Sequence, residues 1–168
     1  MKKLTLLILV ALLCQNFFAQ KCKFDYDKAD PFTGKRTFSM KPDLARGWGM
    51  AIANTAGNYE IGVSVLVGGV TKNVINKGDT LLMALEGGLP IVLRSNAEYA
   101  PSSNIAGTTV YSSYTANYSI SRAELQRLSQ MKMIALRMYV GTNAFNVEVK
   151  EKNAEKISKA AACVAAEQ

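Results

Sequence analysis

A mainly β fold is predicted by three features of these 168 residues: an antiparallel β-sandwich or partly open barrel, with one short helix and a C-terminal helix packed on the sheet. Apolar and polar residues alternate along most of the chain, which is the period of a half-buried strand. Clusters of Gly, Asn, Asp and Pro interrupt that alternation at short intervals, as turns do. Helical periodicity is confined to two late segments. The count comes to about nine or ten strands, joined by short turns.

Cys22 to Asp27 alternates, with Cys22, Phe24 and Tyr26 pointing one way and Lys23, Asp25 and Asp27 the other. Asp30-Pro31-Phe32-Thr33-Gly34-Lys35 is a turn, and Lys35 to Met40 runs back as a second strand. Gly47 to Ala53 is a third, turned by Ala56-Gly57-Asn58 into Tyr59 to Val67, whose Ile61, Val63, Val65 and Val67 share one face. Gly68-Gly69 leads into a strand from Val70 to Ile75, and Asn76-Lys77-Gly78-Asp79 turns again. Thr80 to Glu86 and Leu89 to Ser95 flank Gly87-Gly88 as a two-residue hairpin, with Pro90 marking an edge. Asn96 to Gly107 is polar and reads as the longest loop. Thr108 to Ile120, rich in Thr, Tyr and Val, is a long strand.

Ser121 and Glu124 form a capping box ahead of a short helix that ends near Met131, its apolar side made by Leu125 and Leu128. Met133 to Val140 and Ala144 to Val149 are two more strands around Gly141-Thr142-Asn143. The last helix, Asn153 to Ala166, places Ile157, Ala160, Ala161 and Val164 on one side. No repeat, linker or low-complexity stretch divides residues 21–168, which read as a single domain large enough to bury an ordinary core.

Residues 1–20 have the layout of a secretory signal: Lys2 and Lys3, an apolar run from Leu4 to Leu13, a polar break at Gln15 and Asn16, then cleavage after Ala19 or Gln20. The run is about half of the roughly 20 residues that a membrane span needs, and no other segment approaches that length, so no transmembrane segment is expected after cleavage. The short leader looks bacterial, and the expected address is the periplasm or the cell exterior. Cys14 sits where a lipidated cysteine would, but Leu13 stands where Gly, Ala or Ser normally precedes one. Soluble export is therefore the leading reading, and a lipid anchor through Cys14 the alternative. Cleavage leaves Cys22 and Cys163. Two cysteines in an oxidising compartment are most simply a disulfide, the alternative being two free buried thiols.

The start Cys22-Lys-Phe-Asp-Tyr-Asp27, with Asp30-Pro-Phe-Thr-Gly-Lys35, Lys77-Gly-Asp-Thr-Leu81, Tyr114-Thr-Ala-Asn-Tyr118 and a cysteine near the C-terminus, resembles an uncharacterised family of small secreted bacterial proteins. The resemblance covers most of the mature chain and implies export and a single domain. Its motifs are turns and paired cysteines, and it implies no mechanism and no functional residue.

Composition narrows the chemistry. The sequence has no histidine, which excludes Ser-His and Cys-His nucleophile pairs and His-based zinc sites. The formal charge of +7 falls to +5 without Lys2 and Lys3, and Lys150, Lys152, Lys156 and Lys159 are interleaved with Glu148, Glu151 and Glu155, a solvated helix face and not a nucleic-acid patch. Gly68-Gly69 and Gly87-Gly88 match neither phosphate-loop pattern, and no cofactor is implied. Three possibilities remain. Asp25, Asp27 and Asp30 form a compact acidic cluster of the type that can bind calcium, although turn capping by Asp30 is the simpler reading. Asp79, Glu86 and Glu98 are the acids from which a carboxylate-based hydrolase would be built. Tyr99, Tyr111 and Tyr114, beside the long loop, form a possible ligand surface, against the alternative of cross-strand packing. The leading expectation is a non-enzymatic exported module that binds an envelope protein or a glycan, with a hydrolase or a structural envelope component as alternatives.

Overall fold

The computed structural model describes residues 22–167. The leader, its cleavage site and Cys14 lie outside the described residues. The strands are β1 (Tyr26–Ala29), β2 (Arg36–Met40), β3 (Asp43–Ala45), β4 (Trp48–Thr55), β5 (Asn58–Gly68), β6 (Thr80–Leu85), β7 (Ile91–Arg94), β8 (Ser102–Ala106), β9 (Thr109–Ser119), β10 (Met133–Val140) and β11 (Asn143–Glu148). The helices are α1 (Arg122–Gln130) and α2 (Glu151–Ala166). The fold is the mainly β one expected, in two antiparallel sheets. The larger is ordered β1-β2-β4-β5-β9-β8, with β3 also pairing to β4, and it curls into a half-barrel. The smaller is ordered β11-β10-β6-β7.

Strand alternation decides which residues meet. In β4, β5 and β9 the register sets Ile52 opposite Ile61, Ile61 opposite Tyr118 and Val63 opposite Ala116, all buried on the inner face. In the small sheet Leu81, Met83, Leu93, Leu136 and Met138 face inward to meet them. Each such side chain contributes about 1.5–3 kcal/mol through burial. The capping box forms as expected: Glu124 N donates to Ser121 Oγ, and Ser121 N donates to Glu124 Oε2. α2 lays the buried stripe Ala154, Ile157, Ala160, Ala161 and Val164 across β2, β3, β4 and β10, and packs its flank on α1.

Several boundaries differ from expectation, each for a local reason. Cys22 and Phe24 do turn toward the core, the Phe24 ring lying 5.0 Å from that of Phe38. The ladder with β2, however, begins only at Tyr26, so Cys22 to Asp25 is an extended lead-in and not a strand. The expected strand Val70 to Ile75 is an irregular strap, touching its neighbours in sheet fashion only at the Ile75–Tyr99 bridge. Side chains replace its ladder: Thr71 N donates to Ser112 Oγ at 3.0 Å, and Tyr114 Oη donates to the Asn73 carbonyl at 2.9 Å. Asn96 to Gly107 is not a loop throughout, because Ser102–Ala106 pairs with β9 as an edge strand. Its polar composition reflects exposure, not irregularity. Gly87-Gly88 is not a two-residue hairpin. The last β6–β7 pair is Met83–Ile91, and Leu85 pairs instead with Met133 of β10.

Cys22 and Cys163 are bonded, with Cα atoms 5.7 Å apart. The bond ties the lead-in of β1 to α2. Ion pairs add to this attachment: Lys156 with Asp43 at 2.6 Å, and Lys132 with Glu151 at 2.6 Å, both exposed. Asn153 Nδ2 donates to the Leu44 carbonyl at 3.0 Å.

Opening the disulfide by Cys22→Ser lowers unfolding free energy by up to about 5 kcal/mol in the chain-entropy limit for this separation of 141 residues, measured by urea titration. Cys22→Ser with Cys163→Ser costs little more than Cys22→Ser alone, because the closed loop is already lost. The pH dependence follows from the carboxylates. Hydrogen bonds from Arg36, Lys156 and Lys132 hold Asp27, Asp43 and Glu151 respectively below their ordinary values. A lowered folded pKa means that this stability is complete above the ordinary carboxylate range of about 4 and is lost as pH falls through the depressed values. The urea midpoint therefore drops on acidification below about pH 4, and Arg36→Gln with Lys156→Gln flattens that acid limb.

Candidate functional site

The period of two in β9 separates the tyrosines proposed as a ligand surface. Residues 112, 114, 116 and 118 face the core, so Tyr111 and Tyr114, three apart, lie on opposite faces. Tyr114 is fully buried, its hydroxyl bonded to Asn73 and 3.1 Å from Thr71 Oγ1, and it belongs to no surface. Tyr99 is half-buried and donates to Asn96 Oδ1, and its backbone bridges to Ile75. The three do not form one platform. Tyr118 is also fully buried, its hydroxyl without a hydrogen-bond partner among the described residues. Burial, followed by the nearby charge of Asp79, holds it above the ordinary tyrosine range.

The acids are likewise dispersed. Asp79 accepts from Asn76 N at 2.8 Å and from Gly141 N at 3.2 Å, tying two turns together. Glu86 follows the other end of β6, about 20 Å away at 3.3 Å per residue, which is too far for the two to flank one glycosidic bond. Glu98 is exposed beyond β7. In the N-terminal cluster each carboxylate has a separate partner. Asp25 accepts from Lys41 N at 2.6 Å, Asp27 forms a bidentate pair with Arg36 at 2.7 Å, and Asp30 accepts from Phe32 N and Thr33 N at 2.8 Å each. The backbone bonds from Thr33 and Phe32 hold Asp30 below its ordinary pKa, as a turn-capping carboxylate requires. Among the described residues no three Cys, Asp or Glu side chains converge in a way that could hold a metal ion.

Two other surfaces are set apart by their geometry. The first is the outer face of the small sheet. Its register aligns Glu148, Ala135 and Ala84 across three strands, and Asn146, Arg137, Leu82 and Val92 across all four. All of these but Val92, together with Pro90, line a groove of about 530 Å³, and Val92 lies beside it. Arg137 belongs to its lining, its Nε donating to Asn146 Oδ1 at 2.5 Å, and Arg94 lies outside it at the end of β7, donating to Thr80 Oγ1 at 2.6 Å. Neither arginine has an ion-pair partner among the described residues. The outer face of the large sheet is different: Gly49, Ser64 and Thr115 in one row, Ala51, Gly62 and Asn117 in the next. These rows hold small and polar side chains, while Leu66, the next outward residue of β5, is 54% exposed. Sequence reasoning passed over the first surface. The signal was present in Leu81-Leu-Met-Ala-Leu85, where alternation fails and the run is apolar throughout, the mark of a strand covered on both faces.

The second is a cup of about 1030 Å³ at one end of the large sheet, between the β4–β5 turn and the β9–α1 junction. Thr55 pairs with Asn58, leaving Ala56 and Gly57 as a two-residue turn with φ of 49° and 89°. Asn54 and Tyr59 are opposite each other on the inner face, and Ser119, Ser121 and Arg122 make the far wall.

With this geometry in hand, no family model, curated protein or solved structure matches the chain. What it can do rests on its own surfaces. The contrast between the tyrosines is measurable. Tyr114→Ala costs about 3–5 kcal/mol of stability and Tyr114→Phe about 1, whereas Tyr111→Ala costs less than about 1, all by urea denaturation.

Proposed function

We propose that this chain is an exported, non-enzymatic binding domain whose partner is a protein, taken on the outer face of β7, β6, β10 and β11. The observation that carries the reading is β6. Its inward residues Leu81, Met83 and Leu85 fill the core, yet its outward residues Leu82 and Ala84 are apolar too, beside Val92, which is 46% exposed. A sheet face turned to water is ordinarily polar, and a contiguous apolar face rimmed by charge marks an interaction site. Arg137 and Glu148 line the groove, and Arg94 adds a second positive charge on the same sheet face. The fitting partner is therefore an apolar protein segment carrying a carboxylate that Arg137, oriented by Asn146, can hold through its free guanidinium nitrogens.

Export rests on the leader at residues 1–20 and fits the Cys22–Cys163 bond, since structural disulfides persist in oxidising compartments. Among the described residues no helix is long and apolar enough to cross a membrane. This reading keeps the chain beside the small secreted bacterial proteins that its first residues resemble, in the periplasm or outside the cell.

A photo-crosslinking amino acid at Val92 or Ala84, in cells that make and export the protein, is expected to yield a discrete protein adduct. The same residue at Ala51 or Thr115, on the outer face of the large sheet, is expected to yield none. Arg137→Glu should reduce the adduct at least about ten-fold, the effect of about 1.4 kcal/mol. Equal labelling from both sheets, or indifference to Arg137→Glu, removes this face as the binding site.

A further inference from the structure

We propose that the cup between the β4–β5 turn and the start of α1 is a second, independent binding site, for a carboxylate-bearing sugar such as a uronic acid. Its floor holds Asn54, only 1% exposed. Gly57 N donates to Asn54 Oδ1 at 2.7 Å, which fixes the amide's orientation and leaves its NH2 group directed away from that bond. That NH2 group has no hydrogen-bond partner among the described residues. The buried side-chain atom without a partner among the described residues is Tyr118 Oη, so the Asn54 NH2 group keeps contact with the open cup, as a donor that an entering ligand can meet.

The wall supplies a second donor that breaks a local rule. Arg122 occupies the first turn of α1, where the positive end of the helix dipole disfavours a cation by about 0.3–1 kcal/mol. It has no carboxylate to offset that, since Glu124 is committed to Ser121. Its guanidinium is exposed at the rim of the cup and has no ion-pair or hydrogen-bond partner among the described residues. Tyr59, opposite Asn54 in the register, adds a half-buried ring whose hydroxyl is also unpartnered among the described residues. The one acid of the lining, Glu60, already accepts from Asn96 Nδ2 at 3.2 Å.

These groups define the ligand by complement. It brings acceptors to Asn54, a negative charge to Arg122, and a ring face to lie against Tyr59. A carboxylated sugar has all three, and Arg meets a carboxylate with two parallel hydrogen bonds. A neutral sugar lacks the charge and a simple carboxylate lacks the ring. The site shares no residue with the small-sheet groove, so either can fail without the other.

The test is a titration followed by amide NMR shifts of the folded domain, with glucuronate, glucose and acetate as separate probes. Glucuronate is expected to move Gly57, Asn58, Ser121 and Arg122 together, and to bind roughly ten- to a hundred-fold more tightly than glucose or acetate, the span of one charge-assisted contact. Arg122→Gln, a surface change, should bring glucuronate down to the affinity of glucose, and Tyr59→Leu should bring it down to that of acetate. No shift at these four amides up to about 50 mM glucuronate, far above a specific site's range, overturns the proposal. So does acetate that binds as tightly as glucuronate, or glucuronate binding that Arg122→Gln leaves unchanged.

Discussion

The rest of the fold depends on α2 packing on both sheets, which meet each other in backbone pairing at the isolated Ser95–Tyr118 bridge. A curled sheet of this kind buries one side of every strand but leaves its open end wet unless something spans it. The small side chains of Ala154, Ala160 and Ala161 let the helix axis come close, and Ile157 and Val164 fill what remains. α2 touches β2, β3 and β4 of the larger sheet and β10 of the smaller, and packs along α1. The Cys22–Cys163 bond is the covalent form of the same constraint, since it prevents the helix and the start of the larger sheet from drifting apart in the unfolded chain.

Where the sheets pass the chain between them, side chains take over from ladders. The strap from Val70 to Asp79 crosses with few backbone pairs of its own, and Ser112, Tyr114 and Asp79 satisfy it in their place. Because each buried backbone group must find a partner, polar side chains appear in a core that strand alternation alone would have filled with hydrocarbon. Ser112 and Tyr114 are fully buried for this reason, and their burial is also why a tyrosine-rich strand does not become a tyrosine-rich surface.

The two sheets treat their outer faces differently. The large sheet turns mostly Gly, Ala, Ser, Thr and Asn outward across its middle rows, with Leu66 exposed toward the end of β5. The small sheet turns out Leu82, Ala84, Ala135 and Val92 around an unpaired arginine. Stability of the isolated domain does not call for that second choice, because exposed apolar area in a sheet brings no burial. The cup shows the same kind of local inconsistency on a smaller scale, with Ala56 at positive φ and Arg122 at a helix N-terminus. Local departures of this kind gather where a surface is built to meet something else.

The sequence by itself determined most strand faces and turn positions, the capped α1, the apolar stripe of α2 and the pairing of Cys22 with Cys163. Most are local: alternation, a Gly in a turn, or Ser121 three residues before Glu124, and the disulfide follows from a simple cysteine count beyond the leader-like segment. Only the tertiary structure decided which inner faces would meet and which outer faces would stay bare. Val70 to Ile75 carries strand-forming residues yet pairs only at the Ile75–Tyr99 bridge, while Ser102–Ala106, mostly polar, pairs along the whole of its length with β9. Tyr111 and Tyr114, or Asp79 and Glu86, are near neighbours in the chain, but a strand reverses face at each residue and extends about 3.3 Å with each step. Proximity along a β-strand is therefore a poor guide to proximity in a site. Leu82, Arg137 and Val92, and likewise Asn54, Tyr59 and Arg122, come together only through register and closure, which no short stretch of sequence contains.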